Sequence, residues 1–184
     1  IAMALSAEPE ILIADEATTA LDVTIQAQLL EMLKEIAVER QVAIIIVTHN
    51  MGVVARYADR IYVMYSGSVV ECSPTMELFR QPRHPYTRGL LNSIPRLNDP
   101  KDRVLEPIDG LLPDPASRER YCAFYERCLY RCDACKEQDR PLLRETAPVH
   151  LVACHRSLEE IEEVQKGLSA HKRTAPVKKI GDEI

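Results

Sequence analysis

Ile11-Leu12-Ile13-Ala14-Asp15-Glu16 runs directly into Ala17-Thr18-Thr19-Ala20-Leu21-Asp22. An apolar run closed by two carboxylates reads as a buried strand that delivers acids at its C-terminal edge. In an open α/β sheet, ligands bind at that edge. Successive strand side chains point to opposite faces, so Asp15 and Glu16 divide the work. One suits a metal ion and the other, at the strand end, suits a nucleophile. Taken alone, the pair equally fits an N-cap aspartate beside a solvated glutamate.

Working outward, Asp22 is a good N-cap for a helix from Val23 to about Arg40. Its apolar positions Ile25, Leu29, Met32, Leu33 and Ile36 recur at helical spacing and predict core contacts. Val42-Ala43-Ile44-Ile45-Ile46-Val47 then predicts a parallel strand buried on both faces. Strand, helix and strand make a βαβ crossover, right-handed by default. His49 follows at once. A histidine after a strand is more often structural, but here both strand ends open on one crevice, which favours a functional role.

Leu12-Ile13-Ala14-Asp15-Glu16 resembles the Walker B strand of an ATP-binding cassette ATPase, Ala20-Leu21-Asp22 its D-loop, and Val47-Thr48-His49 its switch histidine. Order and spacing match the family. Ala17 stands where the family usually has proline, which loosens a loop and removes no functional group. The resemblance implies that Asp15 helps hold Mg²⁺ on the phosphates of ATP, that Glu16 is the general base, and that His49 contacts the γ-phosphate and positions the attacking water. Asp22 would communicate across a dimer of two ATPase domains.

The chain has 184 residues, 46% hydrophobic, and a net charge of −5. This gives no electrostatic footprint for nucleic acid, and no apolar run is long enough to span a bilayer. Ile1 to Leu5 is a short apolar stretch without an initiator methionine. It reads as the end of a helix from a longer protein, closed by Ser6-Ala7-Glu8-Pro9. No G-x-x-x-x-G-K-[ST] phosphate loop occurs in these residues. The family's glutamine loop and Ser-Gly-Gly signature are absent too. The chain is therefore expected to be the C-terminal half of an ATPase and, alone, neither to bind ATP tightly nor to hydrolyse it.

Met51 to Ala58 predicts a short helix, and strands at residues 60–65 and 68–71 flank Ser66-Gly67, a two-residue hairpin signal. Ser73-Pro74 offers an N-cap with proline at the first position of a helix ending near Pro82. Arg83-His84-Pro85-Tyr86-Thr87-Arg88-Gly89-Leu90-Leu91 is a proline-started helix entry. It resembles the His-Pro-Tyr segment of the ATPases of oligopeptide and dipeptide importers, some of which carry nickel chelates. His84 and Tyr86 read as structural.

After Ile94, prolines at 95, 100, 107, 113 and 115 mark an extended connector. Cys122, Cys128, Cys132, Cys135 and Cys154 follow, whereas Cys72 lies alone and reads as a small core residue. Clustered thiols in a reducing compartment read as metal ligands rather than disulfides. Five residues separate Cys122 from Cys128, six separate Cys128 from Cys135, and eighteen separate Cys135 from Cys154. With Arg127 before Cys128 and His150 to His155 at the end, this resembles the cysteine motif of peptide importers, some of which hold a four-iron, four-sulfur (4Fe-4S) cluster. The resemblance makes Cys122, Cys128, Cys135 and Cys154 the ligands and Cys132 a bystander. Zinc competes: Cys132 and Cys135 form a C-x-x-C pair that Cys128, His150 or His155 could complete. From Ser157, Leu158, Ile161, Val164 and Leu168 predict an amphipathic helix, followed by a solvated tail with Lys172-Arg173 and Lys178-Lys179.

The expected fold class is α/β: the C-terminal part of a P-loop NTPase core over residues 1–82, a proline-rich, cysteine-containing domain over 83–156, and a helical tail over 157–184. The resemblance implies an ATP-hydrolysing subunit that powers import of peptides or related solutes from the cytoplasmic face of the cell membrane. Its partners would be a second ATPase subunit, membrane permeases and, indirectly, a solute-binding protein. The alternative is a non-catalytic, metal-binding interaction module on a P-loop remnant.

Overall fold

The computed structural model describes residues 2–17, 21–95, 99, 105, 107–114 and 119–174, with side chains to residue 167. Thr18, Thr19, Ala20, Pro100, Pro115 and Lys178-Lys179 lie outside the described residues, as do the side chains of Leu168, Lys172 and Arg173. The chain divides into two compact units, Ile1–Ile61 and Tyr62–Ile184. Among the described residues, no helix is long and apolar enough to cross a membrane.

The first unit holds α1 (Ala2–Leu5), β1 (Ile11–Asp15), α2 (Val23–Arg40), β2 (Ala43–Val47) and α3 (Met51–Tyr57). β1 and β2 pair in parallel, with Ile11 opposite Ala43 and Asp15 opposite Val47. α2 begins where expected because the Asp22 carboxylate accepts from the amides of Thr24 and Ile25. It ends at Gln41, which takes the left-handed conformation. Leu12, Leu33 and Val42 form the core, with Leu5, Leu29 and Ile44 packed against them.

Burial of the strands on both faces is not observed. Ile11 is 56% exposed, Ile13 65%, Ile45 49% and Val47 47%. Among the described residues this sheet has two strands. α2 packs on the Leu12 face, so the alternate side chains that share the opposite face stay open. The helix reading needs a similar correction. Ile25 and Met32 are exposed, while Leu30, absent from the expected stripe, is buried with Leu33.

The second unit is built on a four-stranded sheet in the order β3-β4-β6-β5. Its strands are β3 (Arg60–Tyr65), β4 (Ser68–Pro74), β5 (Arg144–Ala147) and β6 (His150–Val152). Ser66 and Gly67 both have positive φ, 46° and 73°, as a tight hairpin requires. β4 runs to Pro74, beyond the expected residue 71, because β6 pairs antiparallel against Glu71 and Cys72. Ser73 therefore lies in the strand and caps no helix. Its hydroxyl donates to the Pro74 carbonyl, and α4 (Thr75–Arg80) starts without a side-chain cap.

α5 (Pro85–Asn92) begins as expected, with His84 as N-cap: its Nδ1 accepts from the Tyr86 amide at 3.1 Å. Gly89 lies so close to Ile108 that a Cβ there would meet its side chain at 2.8 Å, so a larger residue would have to push the Ile108 side chain aside. The rings of Tyr65, Tyr86 and Phe124 cluster, with centroids 4.7–5.5 Å apart. α6 (Ala134–Glu137) is a single turn. α7 (Leu158–Thr174) starts in a reciprocal capping box between Ser157 and Glu160 and buries Ile161.

Candidate functional site

In the first unit, the C-terminal edge of the parallel pair gathers the acids and the histidine. Asp15 ends β1 directly opposite Val47, the last residue of β2. The Glu16 amide donates to the Val47 carbonyl at 3.0 Å, extending the ladder by one bond. Glu16 then takes a φ of 45°, an uncommon left-handed conformation for a side-chain-bearing residue. The chain turns there, and its carboxylate reaches His49: Oε1 lies 3.1 Å from Nδ1. Both groups are solvent-accessible, with side-chain exposures of 55% and 73%. Thr48 and Asn50 hold the histidine loop. Thr48 Oγ1 accepts from the Asn50 amide, and Asn50 caps α3 through the amides of Gly52 and Val53.

Two residues 33 positions apart thus meet because two parallel strands end together. Asp15 is exposed at the same edge, and its carboxylate is a hard oxygen donor of the kind Mg²⁺ prefers. Asp22 stands apart from this contact and spends its carboxylate on the α2 cap.

In the second unit, the five clustered cysteines converge. The Cys122 amide donates to the Cys135 carbonyl at 3.0 Å, and the Cys135 amide to the Cys132 carbonyl at 3.0 Å. The sulfurs of Cys132 and Cys135 are 3.5 Å apart. Cys128 and Cys135 are buried; Cys122, Cys132 and Cys154 are half-buried. Burial pushes the thiols of Cys128 and Cys135 up to about 12 and that of Cys154 to about 11, and raises Cys122 as well. Neighbouring sulfurs add to each rise, since a second thiolate charge nearby is unfavourable.

The donor type suits an iron–sulfur cluster or zinc. The arrangement does not: among the described residues, no group of three or more His, Cys, Asp or Glu side chains is placed to hold a metal ion. Packed as neutral thiols, the sulfurs must lose protons before they ligate.

A buried carboxylate escaped the sequence reading. Glu71 and His150 are both fully buried, and Glu71 Oε1 lies 2.7 Å from His150 Nε2. The same oxygen accepts from the Arg83 amide at 2.7 Å, and Oε2 accepts from the His84 amide at 3.0 Å. One carboxylate on β4 therefore fixes both the entry to α5 and the start of β6. His150 Nδ1 has no partner among the described residues. Arg127 plays a comparable part, donating to the carbonyls of Ile108 and Asp109 at 2.8 and 3.0 Å. A lone glutamate in a short strand carries no sequence signal for such a clamp.

Residues 70–135 match the family described as the oligopeptide/dipeptide transporter, C-terminal region. The chain is 55% identical over 135 residues to a dipeptide transport ATP-binding protein of Bacillus subtilis, covering 73% of the chain and 40% of that protein. It is 49% identical over 147 residues to a protein of Brucella ovis named as a peptide import ATP-binding protein, covering 77% and 44%. With a protein of Sinorhizobium fredii named as a peptide transporter ATP-binding protein, identity is 44% over 161 residues, covering 88% and 48%. The chain spans less than half the length of these relatives.

Proposed function

With residues 70–135 belonging to the oligopeptide/dipeptide transporter C-terminal region and most of the chain similar to peptide import ATP-binding proteins, we propose that this chain is part of an ATP-hydrolysing importer subunit. The cargo class is peptides or related small solutes. The subunit works from the cytoplasmic face of the membrane with a second ATPase subunit, membrane permeases and, indirectly, a solute-binding protein. A non-catalytic module is the weaker reading, because the relatives are named for ATP binding.

The observation that carries the chemistry is the 3.1 Å contact between Glu16 and His49 at the shared end of β1 and β2. Glu16 takes the proton from the water that attacks the γ-phosphate of ATP. His49 steers the Glu16 carboxylate and presents its other ring nitrogen toward the phosphate. Asp15 would hold Mg²⁺, which would supply charge neutralisation on the phosphates. Asp22 communicates across the interface with the second ATPase subunit. A general base contributes about 10²–10⁴-fold, so Glu16→Gln in the full-length protein should lose nearly all turnover while nucleotide binding stays near wild type. Hydrolysis at the wild-type rate in that variant would refute the assignment.

For the cysteines we infer a ligand set of Cys122, Cys128, Cys135 and Cys154 for a four-iron, four-sulfur cluster, with zinc as the alternative. Its support is the spacing of the four residues and the gathering of their segments. The packing of neutral thiols stands against it, and no step of ATP hydrolysis passes through it.

A further inference from the structure

Cys132 is the thiol that the four-ligand spacing leaves over, yet the fold gives its sulfur a defined neighbour. Its Sγ lies 3.5 Å from that of Cys135, at van der Waals contact. The turn is closed by the Cys135 amide on the Cys132 carbonyl at 3.0 Å. The two sulfurs differ in access. Cys132 is half-buried and reachable, whereas Cys135 is 5% exposed.

We propose that Cys132 and Cys135 form a reversible dithiol–disulfide site that reacts with small-molecule disulfides of the glutathione class. The Cys132 thiolate attacks one sulfur of the oxidant, forming a mixed disulfide and releasing one thiolate. The Cys135 thiolate then attacks the Cys132 sulfur, closes the internal bond and expels the second small thiolate. The protons of the two protein thiols end on the two released thiols. The protein loses two electrons and the oxidant gains them. Closure is intramolecular between sulfurs already in contact, so it outcompetes accumulation of the mixed disulfide.

The bond also has a consequence for the cysteine set. Cys135 belongs to the ligand set proposed above, so closing the disulfide withdraws one of its four sulfurs. That consequence rests on the ligand reading; formation of the bond does not.

The test uses the full chain purified anaerobically, both as isolated and after chelation, equilibrated with mixtures of reduced and oxidised glutathione. Trypsin cuts after Arg131 and Lys136, so both sulfurs fall in the peptide Cys132–Lys136. The expected result is that peptide lighter by two hydrogens, with alkylation of each sulfur reduced about tenfold or more and restored by dithiothreitol. Cys135→Ser should trap glutathione on Cys132, and Cys122→Ser should leave the bond intact. Bonds joining either residue to Cys122, Cys128 or Cys154 would overturn the proposal. So would persistent glutathione on Cys132 without closure, or no oxidation in either preparation. Iron and zinc measured before oxidation report on the ligand reading alone, so the two readings fail separately.

Discussion

Glu71→Ala tests the clamp at the centre of the second unit. The substitution leaves three donors without their acceptor: the half-buried Arg83 amide, the buried His84 amide and the buried Nε2 of His150. Each orphaned donor costs about 1–3 kcal/mol, so the three together cost about 3 kcal/mol or more. A loss of about 4 kcal/mol is a large share of a stability of about 5–15 kcal/mol. With a urea m-value of about 2 kcal/mol per molar, the midpoint should fall by about 2 M at unchanged m. The chain has no tryptophan, so near-ultraviolet circular dichroism of the packed tyrosines is the reporter, with Tyr65 and Tyr86 in the aromatic cluster. Glu71→Gln is the gentler variant. Its carbonyl oxygen keeps part of the acceptor set while its amide meets a donor, so about half the loss is expected. An alanine variant within about 1 kcal/mol of wild type at the same m would refute the reasoning, because the three donors would then have found other partners.

Two further predictions concern His84 and the thiols. Burial holds His84 down at about 4, against an ordinary value of 6.5, so below pH 6.5 the unfolded chain binds the proton that the folded chain refuses. Stability should fall as pH drops through that window and level off near pH 4, a loss of about 3 kcal/mol. His84→Asn, which keeps an N-cap acceptor, should flatten urea midpoints across the window, and an unchanged slope would count against the assignment. On the four-cysteine ligand reading, anaerobic protein analysed for metal is brown, with iron and acid-labile sulfide lost on Cys122→Ser or Cys154→Ser. Colourless protein with zinc would move attention to Cys132 and Cys135, and colourless, metal-free folded protein would sink the ligand reading.

Local signals were strong where covalent geometry or short-range bonding sets the outcome. Asp22 caps α2 through amides two and three residues away, and Ser66-Gly67 makes its hairpin from two residues that adopt positive φ. His84-Pro85 opens α5 in the same way, because a fixed proline φ and a nearby acceptor need no distant partner. The pairing of Glu16 with His49 was legible one step further out. Two strands of a βαβ unit end at one edge, so the residues just past each end are neighbours.

Other features depend on which surfaces meet. β5 and β6 have four and three residues, too few for a periodic signal; β6 exists because β4 supplies Glu71 and Cys72 as partners, and β5 because it pairs with β6. β4 runs on to Pro74, so Ser73 lies in the strand and the expected cap is displaced. Ile25 and Met32 fit the helical stripe of α2, yet they stay exposed while Leu33 packs with Leu12.

By itself, then, the sequence determined the α/β order of the first unit, the Asp22 cap, the hairpin turn and the acid–histidine edge. Each follows from propensities or hydrogen bonds within a few residues, or from the alternation of one strand. Tertiary structure alone decided that Glu71 is a buried acceptor for three donors and that His150 meets it across the sheet. Those outcomes depend on which groups packing removes from water. A buried polar atom must then find its partner wherever the fold has brought one, however far along the chain that partner lies.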